Sequence, residues 1–183
     1  MTYTIDIAGM KRDLPICPVT DDLYIGAFVI FGDVEITIHA AKELLARAPE
    51  FDYIAAPEAK SIPLAYEMSR QSGVPYLLAR KKPKAYMSGV FEVHVQSITT
   101  FGVQTLVIDT ADAEKMEGKR ILVVDDVIST GESLRAMEEL VKKAGGEIVA
   151  KMAVLAEGDA INRPDITVLA PLPVFNPDGT IKG

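Results

Sequence analysis

The residues best suited to chemistry stand together in VVDDVISTGES, residues 123–133, where an apolar run ends in Asp125 and Asp126 and passes through Ser129, Thr130 and Gly131 into Glu132 and Ser133. Strand, acid pair and a Ser-Thr-Gly turn opening into a helix together form a seat for phosphate. A helix start presents unpaired N–H groups and a partial positive charge, hydroxyls add donors, and glycine lets the backbone approach the anion. The two acids lie about a sugar's length upstream, where they are placed to accept from the paired hydroxyls of a ribose. Two other readings of the same letters stay open. A strand ending in Asp-Asp also has the form of a Walker B element, although GxxxxGK[ST] occurs nowhere in the chain, and an acidic strand tip also suits a metal-binding phosphoacceptor domain in which Ser-Thr-Gly is only a cap.

The elements that position this segment alternate as strand and helix, the pattern of an α/β fold. Asp33 is placed to cap a helix through Ile38, Ala41, Leu44 and Leu45 that ends by Pro49. A buried strand follows over residues 51–56, then a helix over 61–72 with Pro63 in its first turn and Gly73 as its stop. A short strand at 75–79 runs into the basic cluster Arg80, Lys81, Lys82 and Lys84. Ligands of α/β sheets gather at strand ends, which argues for a functional rather than a merely solvated cluster. Alternation at 90–95 and 104–108 predicts a hairpin within residues 82–108. Beyond a polar stretch at 109–119 come a strand at 121–124, a loop at 125–129, a helix over about 130–144 halted by Gly145 and Gly146, and strands at 148–155 and 166–169. The Pro- and Gly-rich tail from residue 171 is expected on the surface with little regular structure.

With 183 residues, 49% of them hydrophobic, the chain has material for one sizeable core and reads as a single domain over residues 1–183. A net charge of −7 opposes a nucleic-acid or anionic-membrane partner, so an anionic ligand must meet a local basic cluster. The single cysteine, Cys17, the absence of signal-peptide features at the start and the absence of a long apolar run point to a cytoplasmic protein. His39 and His94 match no metal-ligand spacing, and Cys17 reads as an ordinary thiol.

VVDDVISTGES resembles the phosphoribosyl pyrophosphate signature of type I phosphoribosyltransferases. The segment APEAKSIPLA, residues 56–65, is similar to the pyrophosphate loop of the adenine-specific enzymes and their relatives, and Arg80 with Lys81 matches the Arg-Lys pair that follows the next strand there. The three blocks span residues 51–154. The resemblance implies a five-stranded parallel sheet of order 3-2-1-4-5 flanked by helices, with the core at about residues 33–156, a small hood from the N- and C-terminal segments, and a flexible β-hairpin loop with Gly89 and Gly102 as hinges that closes against water.

It further implies transfer of the phosphoribosyl group to a purine, adenine ahead of hypoxanthine, guanine or xanthine, with Mg²⁺ and release of pyrophosphate, in a homodimer. Asp125 and Asp126 would hold the ribose hydroxyls, directly or through the metal, and Ser129, Thr130, Gly131, Glu132 and Ser133 the 5-phosphate. Ala59, Lys60 and Ser61, in a loop that often carries a non-proline cis peptide, would meet the pyrophosphate together with Arg80, Lys81 and Lys84, and Val127 would meet the base. Glu92 is a candidate base for the purine imidazole proton and equally an outward-facing strand residue, while residues 12–16 are similar to a base-reading hood segment and equally suit hood packing. The family usually has Gly where Ser61 stands, and often Gly or Thr in place of Glu132. The hypoxanthine-type enzymes are also matched by EVHVQSITT, and a phosphoribosyl-pyrophosphate-sensing regulator is the rival outside catalysis.

Overall fold

The computed structural model describes residues 1–96 and 103–182, so Gly102 and the Ser-Ile-Thr-Thr turn at 97–100 lie outside the described residues. Five strands build the central sheet: β4 (Tyr53–Pro57), β5 (Tyr76–Ala79), β8 (Arg120–Ile128), β9 (Glu147–Glu157) and β10 (Thr167–Leu172), in the order β10-β9-β8-β4-β5. All four pairings are parallel. A parallel sheet is covered on both faces, which is why β8 reads as an unbroken apolar run. Its side chains still alternate. Leu122 and Val124 pack with Ile36, Ala40 and Leu44 of α1 (Val34–Leu45) and Leu64 and Met68 of α2 (Ile62–Ser72). Ile121 and Val123 face the other way, onto Leu134, Met137 and Leu140 of α4 (Glu132–Lys143) and onto the hairpin of β6 (Val90–Gln96) and β7 (Val103–Asp109).

Above the carboxyl ends of these strands lies an antiparallel sheet of β1 (Thr2–Ile7), β2 (Met10–Pro18), β3 (Tyr24–Gly26) and β11 (Val174–Phe175). The tail is therefore structured, contrary to the expectation from its prolines and glycines. Leu172, Val174 and Phe175 supply enough apolar surface to pair with β3 and bury Phe175, whose ring lies 5.1 Å from that of Tyr3. Other expectations shift in detail. Asp33 accepts from Ile36 N as the cap of α1, yet the buried stripe is Ile36, Thr37, Ala40, Ala41 and Leu44, and Ile38 faces solvent. The polar stretch after β7 contains a short helix, α3 (Thr110–Glu114), capped by Asp109. β8 continues through Asp125 and Asp126 to Ile128, because residues 127 and 128 still pair with Leu155 and Ala156 of β9; the expected loop shrinks and α4 starts at Glu132.

Numbered along the chain, the five parallel strands run 2-1-3-4-5 rather than 3-2-1-4-5. The order begins 3-2-1-4-5 only when β7 is counted third, and β7 is antiparallel, touching the end of β5 through the bridge Arg80↔Val107. No described helix is long and apolar enough to cross a membrane.

The starts of β4 and β8 are fastened by Asp52 and Arg120: Asp52 N donates to Arg120 O at 2.8 Å, and Arg120 N donates to Asp52 Oδ2 at 2.8 Å. The Arg120 side chain also draws the Asp52 carboxyl from 3.8 down to about 2. A carboxyl whose pKa is lowered on folding adds stability above its unfolded value and loses it as pH falls through the folded one. Asp52→Asn is expected to lower the melting point near neutral pH, and its difference from wild type should fade between pH 3.8 and about 2. A difference that stays constant in calorimetric scans across that window would assign the effect to packing instead.

Candidate active site

The carboxyl ends of β4, β8 and β9 meet under the hood around a cavity of about 500 Å³. Asp125, Asp126 and Val127 at the tip of β8 form one wall, and Pro57 to Lys60 together with Lys81 form another. The chain leaving β3, residues 25–29, and Leu172 form the roof. Side chains at strand tips point out of the sheet into this crevice, which is where open α/β sheets bind ligands.

Asp125 and Asp126 are 8% and 5% exposed, and Asp126 N donates to Asp125 Oδ1 at 2.9 Å. Burial first, then the Asp126 charge, pushes the Asp125 carboxyl well above its ordinary value, against hydrogen bonding from Ser133. Asp126 Oδ2 lies 3.4 Å from Lys60 Nζ and has no hydrogen-bond partner among the described residues. A buried carboxylate oxygen without a partner is costly, so this atom is an acceptor awaiting a hydroxyl or a cation. The donor set suits Mg²⁺, a hard ion that prefers carboxylate oxygen. Among the described residues no group of three or more His, Cys, Asp or Glu could cage a metal by itself, so a bound Mg²⁺ would need oxygens from its substrate.

At the far side of the acid pair, Gly131 caps α4 in the left-handed conformation, with φ 80°. Ser129 and Thr130 are exposed just before it, and Ser129 and Ser133 line the cavity. The start of α4 thus opens toward the crevice as an anion seat.

On the opposite wall the peptide between Glu58 and Ala59 is cis. Lys60 and Lys81 line the cavity, and Glu58 braces the pair of basic residues: its Oε1 accepts from Lys81 N at 2.6 Å, and its Oε2 lies 2.7 Å from Arg80 Nε. Arg80 is held against Glu58, behind the wall rather than on it. Ser61 is fully buried and its hydroxyl donates to Pro57 O, so the side chain that replaces the family's glycine fills the interior of its own loop. Lys84 lies off the wall.

Glu92 is not brought to the cavity. It sits on β6, 3.4 Å from His94 Nε2, beside a separate groove shared with Arg135, Glu139 and Lys143 of α4. Residues 12–16 fall within β2, where Leu14 is buried and the Arg12 guanidinium is bound to Asp33 at 2.6 Å, away from the crevice.

Sequence reasoning missed several parts of the wall, among them Glu58, Gln104, Leu172, Glu157 and residues 25–29. Glu157 ends β9 inside the cavity, mostly buried, with its carboxyl raised by burial against Ser129 and Lys60. An apolar run closing on an acid was the available signal, the same that marked Asp125. Residues 25–29 form the roof with Ile25, Phe28 and backbone, and carry no charged or hydrogen-bonding side chain that could have announced them. With Val127 and Leu172 they leave an apolar slot of the kind that accepts a flat ring.

The family described as a phosphoribosyl transferase domain matches residues 34–169. An adenine phosphoribosyltransferase of Thermosipho africanus is 30% identical over 176 residues, covering 88% of this chain and 93% of the relative. A hypoxanthine/guanine phosphoribosyltransferase of Methanococcus voltae is 34% identical over 108 residues, covering 59% of this chain and 54% of its own. The solved adenine phosphoribosyltransferase of Thermoanaerobacter pseudethanolicus has a TM-score of 0.70 at 22% identity, covering 86% of this chain and 95% of that one, and shows the same fold.

The acid pair carries a cost that can be measured. A carboxyl whose pKa is raised on folding leaves stability intact below its unfolded value, 3.8 for Asp125, and removes it as pH rises through the folded one. Asp125→Asn is therefore expected to melt above wild type at neutral pH, by about 2–4 °C for each kcal/mol relieved, and to converge with it in acid. A variant that melts below wild type at pH 7 would mean that the carboxylate stabilises the fold.

Proposed function

Because the chain belongs to the phosphoribosyltransferase family, we propose that this cavity transfers the 5-phosphoribosyl group of phosphoribosyl pyrophosphate to a purine, with adenine the preferred base and AMP the product, in a salvage reaction that releases pyrophosphate. The observation that carries this reading is the buried acid pair with its unpartnered Asp126 Oδ2, set between an anion seat at α4 and the basic wall of Lys60 and Lys81. The order of these parts suits one sugar with a phosphate at one end and a pyrophosphate at the other.

Displacement at the anomeric carbon passes through a state in which the ribose becomes cationic as pyrophosphate departs, so partners of opposite sign are required at once. Asp125 and Asp126 accept from the ribose hydroxyls and place negative charge beside the sugar. Lys60 and Lys81 hold the leaving group from the other wall, with Arg80 set behind it against Glu58. Asp125 and Asp126 are the residues that would hold Mg²⁺, which would supply further charge neutralisation for the leaving group. Val127 and the roof grip the ring by apolar contact. Adenine leads because the Thermosipho africanus relative, matched over most of both chains, is an adenine enzyme. A net charge of −7 argues against the regulator reading, which would need a nucleic-acid face.

The reading extends to a cytoplasmic homodimer. Val34, Ile38 and Tyr66 are exposed along a groove between α1 and α2, and an exposed apolar face of this kind suits a second copy related by a twofold axis. Sedimentation should show a dimer in wild type and a monomer in Val34→Lys with Tyr66→Glu; a wild-type monomer at micromolar concentration would end that part of the proposal.

The central test is a screen of adenine, hypoxanthine, guanine, xanthine and orotate with phosphoribosyl pyrophosphate and Mg²⁺. Adenine is expected to turn over fastest, with kcat/KM reduced by roughly 10²-fold or more in Asp126→Asn. Turnover of orotate alone would overturn the purine assignment, and full activity in both Asp125→Asn and Asp126→Asn would remove the ribose contacts.

A further inference from the structure

The cavity has an imbalance of charge. Among the described residues on its wall the cations are Lys60 and Lys81 and the acids are Glu58, Asp125, Asp126 and Glu157, and Lys60 already faces Asp126 at 3.4 Å, so no wall cation is left for the start of α4. A phosphate dianion seated at residues 129–133 would meet amides, hydroxyls and the partial charge of the helix, with three carboxyls close by. One guanidinium lies next to that seat. Arg163 follows the 3-10 turn Gly158–Asn162 that leaves β9, and its Nη1 is 2.8 Å from the point a Cβ would occupy on Gly131. The positive φ of Gly131 already calls for glycine; the guanidinium fills the space that a side chain there would need.

The placement of Arg163 is fixed from behind. Its Nε donates to Asp165 Oδ1 at 3.0 Å and its Nη2 to Asp165 Oδ2 at 2.7 Å, a two-pronged contact that turns Nη1 toward the loop. Asp165 is itself bound by Lys151 Nζ, which also donates to Glu138 Oε1 of α4 at 2.6 Å. The guanidinium is thus tied through Lys151 to β9 and through Glu138 to the helix whose amino terminus forms the seat. A bare surface ion network contributes little to stability. A network that aims one unused guanidinium nitrogen at a phosphate loop has a better use in binding.

We propose that Arg163 completes the 5-phosphate seat, with Nη1 donating to the phosphate held over Gly131 and Asp165 acting as the residue that positions it. This rests on the phosphoribosyl reading of the cavity. Arg163 would give the site its selectivity for a phosphorylated sugar over a bare one, while Lys60 and Lys81 serve the other end.

Titration calorimetry with ribose 5-phosphate and, separately, with pyrophosphate and Mg²⁺ tests the assignment on wild type, Arg163→Gln, Arg163→Lys and Asp165→Asn. Arg163→Gln is expected to bind ribose 5-phosphate about tenfold or more weakly, the loss typical of a charged hydrogen bond, with pyrophosphate affinity within about twofold of wild type. Arg163→Lys should recover part of the loss, and Asp165→Asn should fall between wild type and Arg163→Gln. Unchanged ribose 5-phosphate affinity in Arg163→Gln would overturn the proposal, as would an equal loss for both ligands accompanied by a lower Tm, which would make Arg163 a brace only. Wild type that binds pyrophosphate but not ribose 5-phosphate would instead remove the phosphoribosyl reading itself, and Arg163 with it. Should Arg163→Gln fail to fold, the comparison of Arg163→Lys and Asp165→Asn with wild type decides by the same criteria.

Discussion

Two neighbouring carboxyls buried at the tip of the central strand are the constraint around which the rest is arranged. Adjacent residues of a strand normally point to opposite faces, yet both Asp125 and Asp126 line one crevice near the carboxyl end of β8. Burial and mutual repulsion make that arrangement unfavourable in the folded protein, and little in the chain relieves it: Lys60 approaches Asp126 at 3.4 Å without a hydrogen bond. The two cores on either face of the sheet supply the stability that such a site consumes. Asp126 Oδ2 is left without a hydrogen-bond partner, so on the reading proposed above, binding of a hydroxyl or a cation would also relieve the strain at this strand tip.

The same economy explains the distribution of charge. The chain is acidic overall, and its basic groups near the site are restrained by acids: Glu58 holds Arg80 and the Lys81 backbone, Asp126 faces Lys60, and Asp165 holds Arg163. Each of these cations is held in place by a neighbouring carboxylate. Fixed donors lose little entropy when an anion arrives, which is what a site separating opposite charges along one sugar requires.

What could be read from the sequence follows from where each signal resides. The acid pair, the Ser-Thr-Gly turn and the helix behind it lie within eleven consecutive letters, and the strands and helices around them show their periods plainly. The strand order was not readable, because the antiparallel β7 stands at the edge of a parallel sheet and local pattern does not say which neighbour a strand chooses. The structured tail was missed because turn residues outnumber Leu172, Val174 and Phe175, whose burial depends on a β3 far away in the chain. Glu92 was singled out by residue type, although the hairpin register that turns it to its own groove is a tertiary matter.

The roof shows the limit more sharply. Residues 25–29 contribute Ile25, Gly26, Ala27, Phe28 and Val29, a string without functional side chains, and yet they close the roof of the cavity. Their placement is set by pairing: Ile16 and Cys17 of β2 fix Gly26 and Ile25, Ala27 N donates to Pro15 O at 2.8 Å, and β11 locks the other edge. Backbone groups and apolar contact are enough to hold a flat heterocycle, and selectivity among purines then turns on one or two hydrogen bonds at its edge. A chain can therefore declare its sugar-phosphate chemistry in a few letters while its choice of base is written in the pairing of strands that are far apart in sequence.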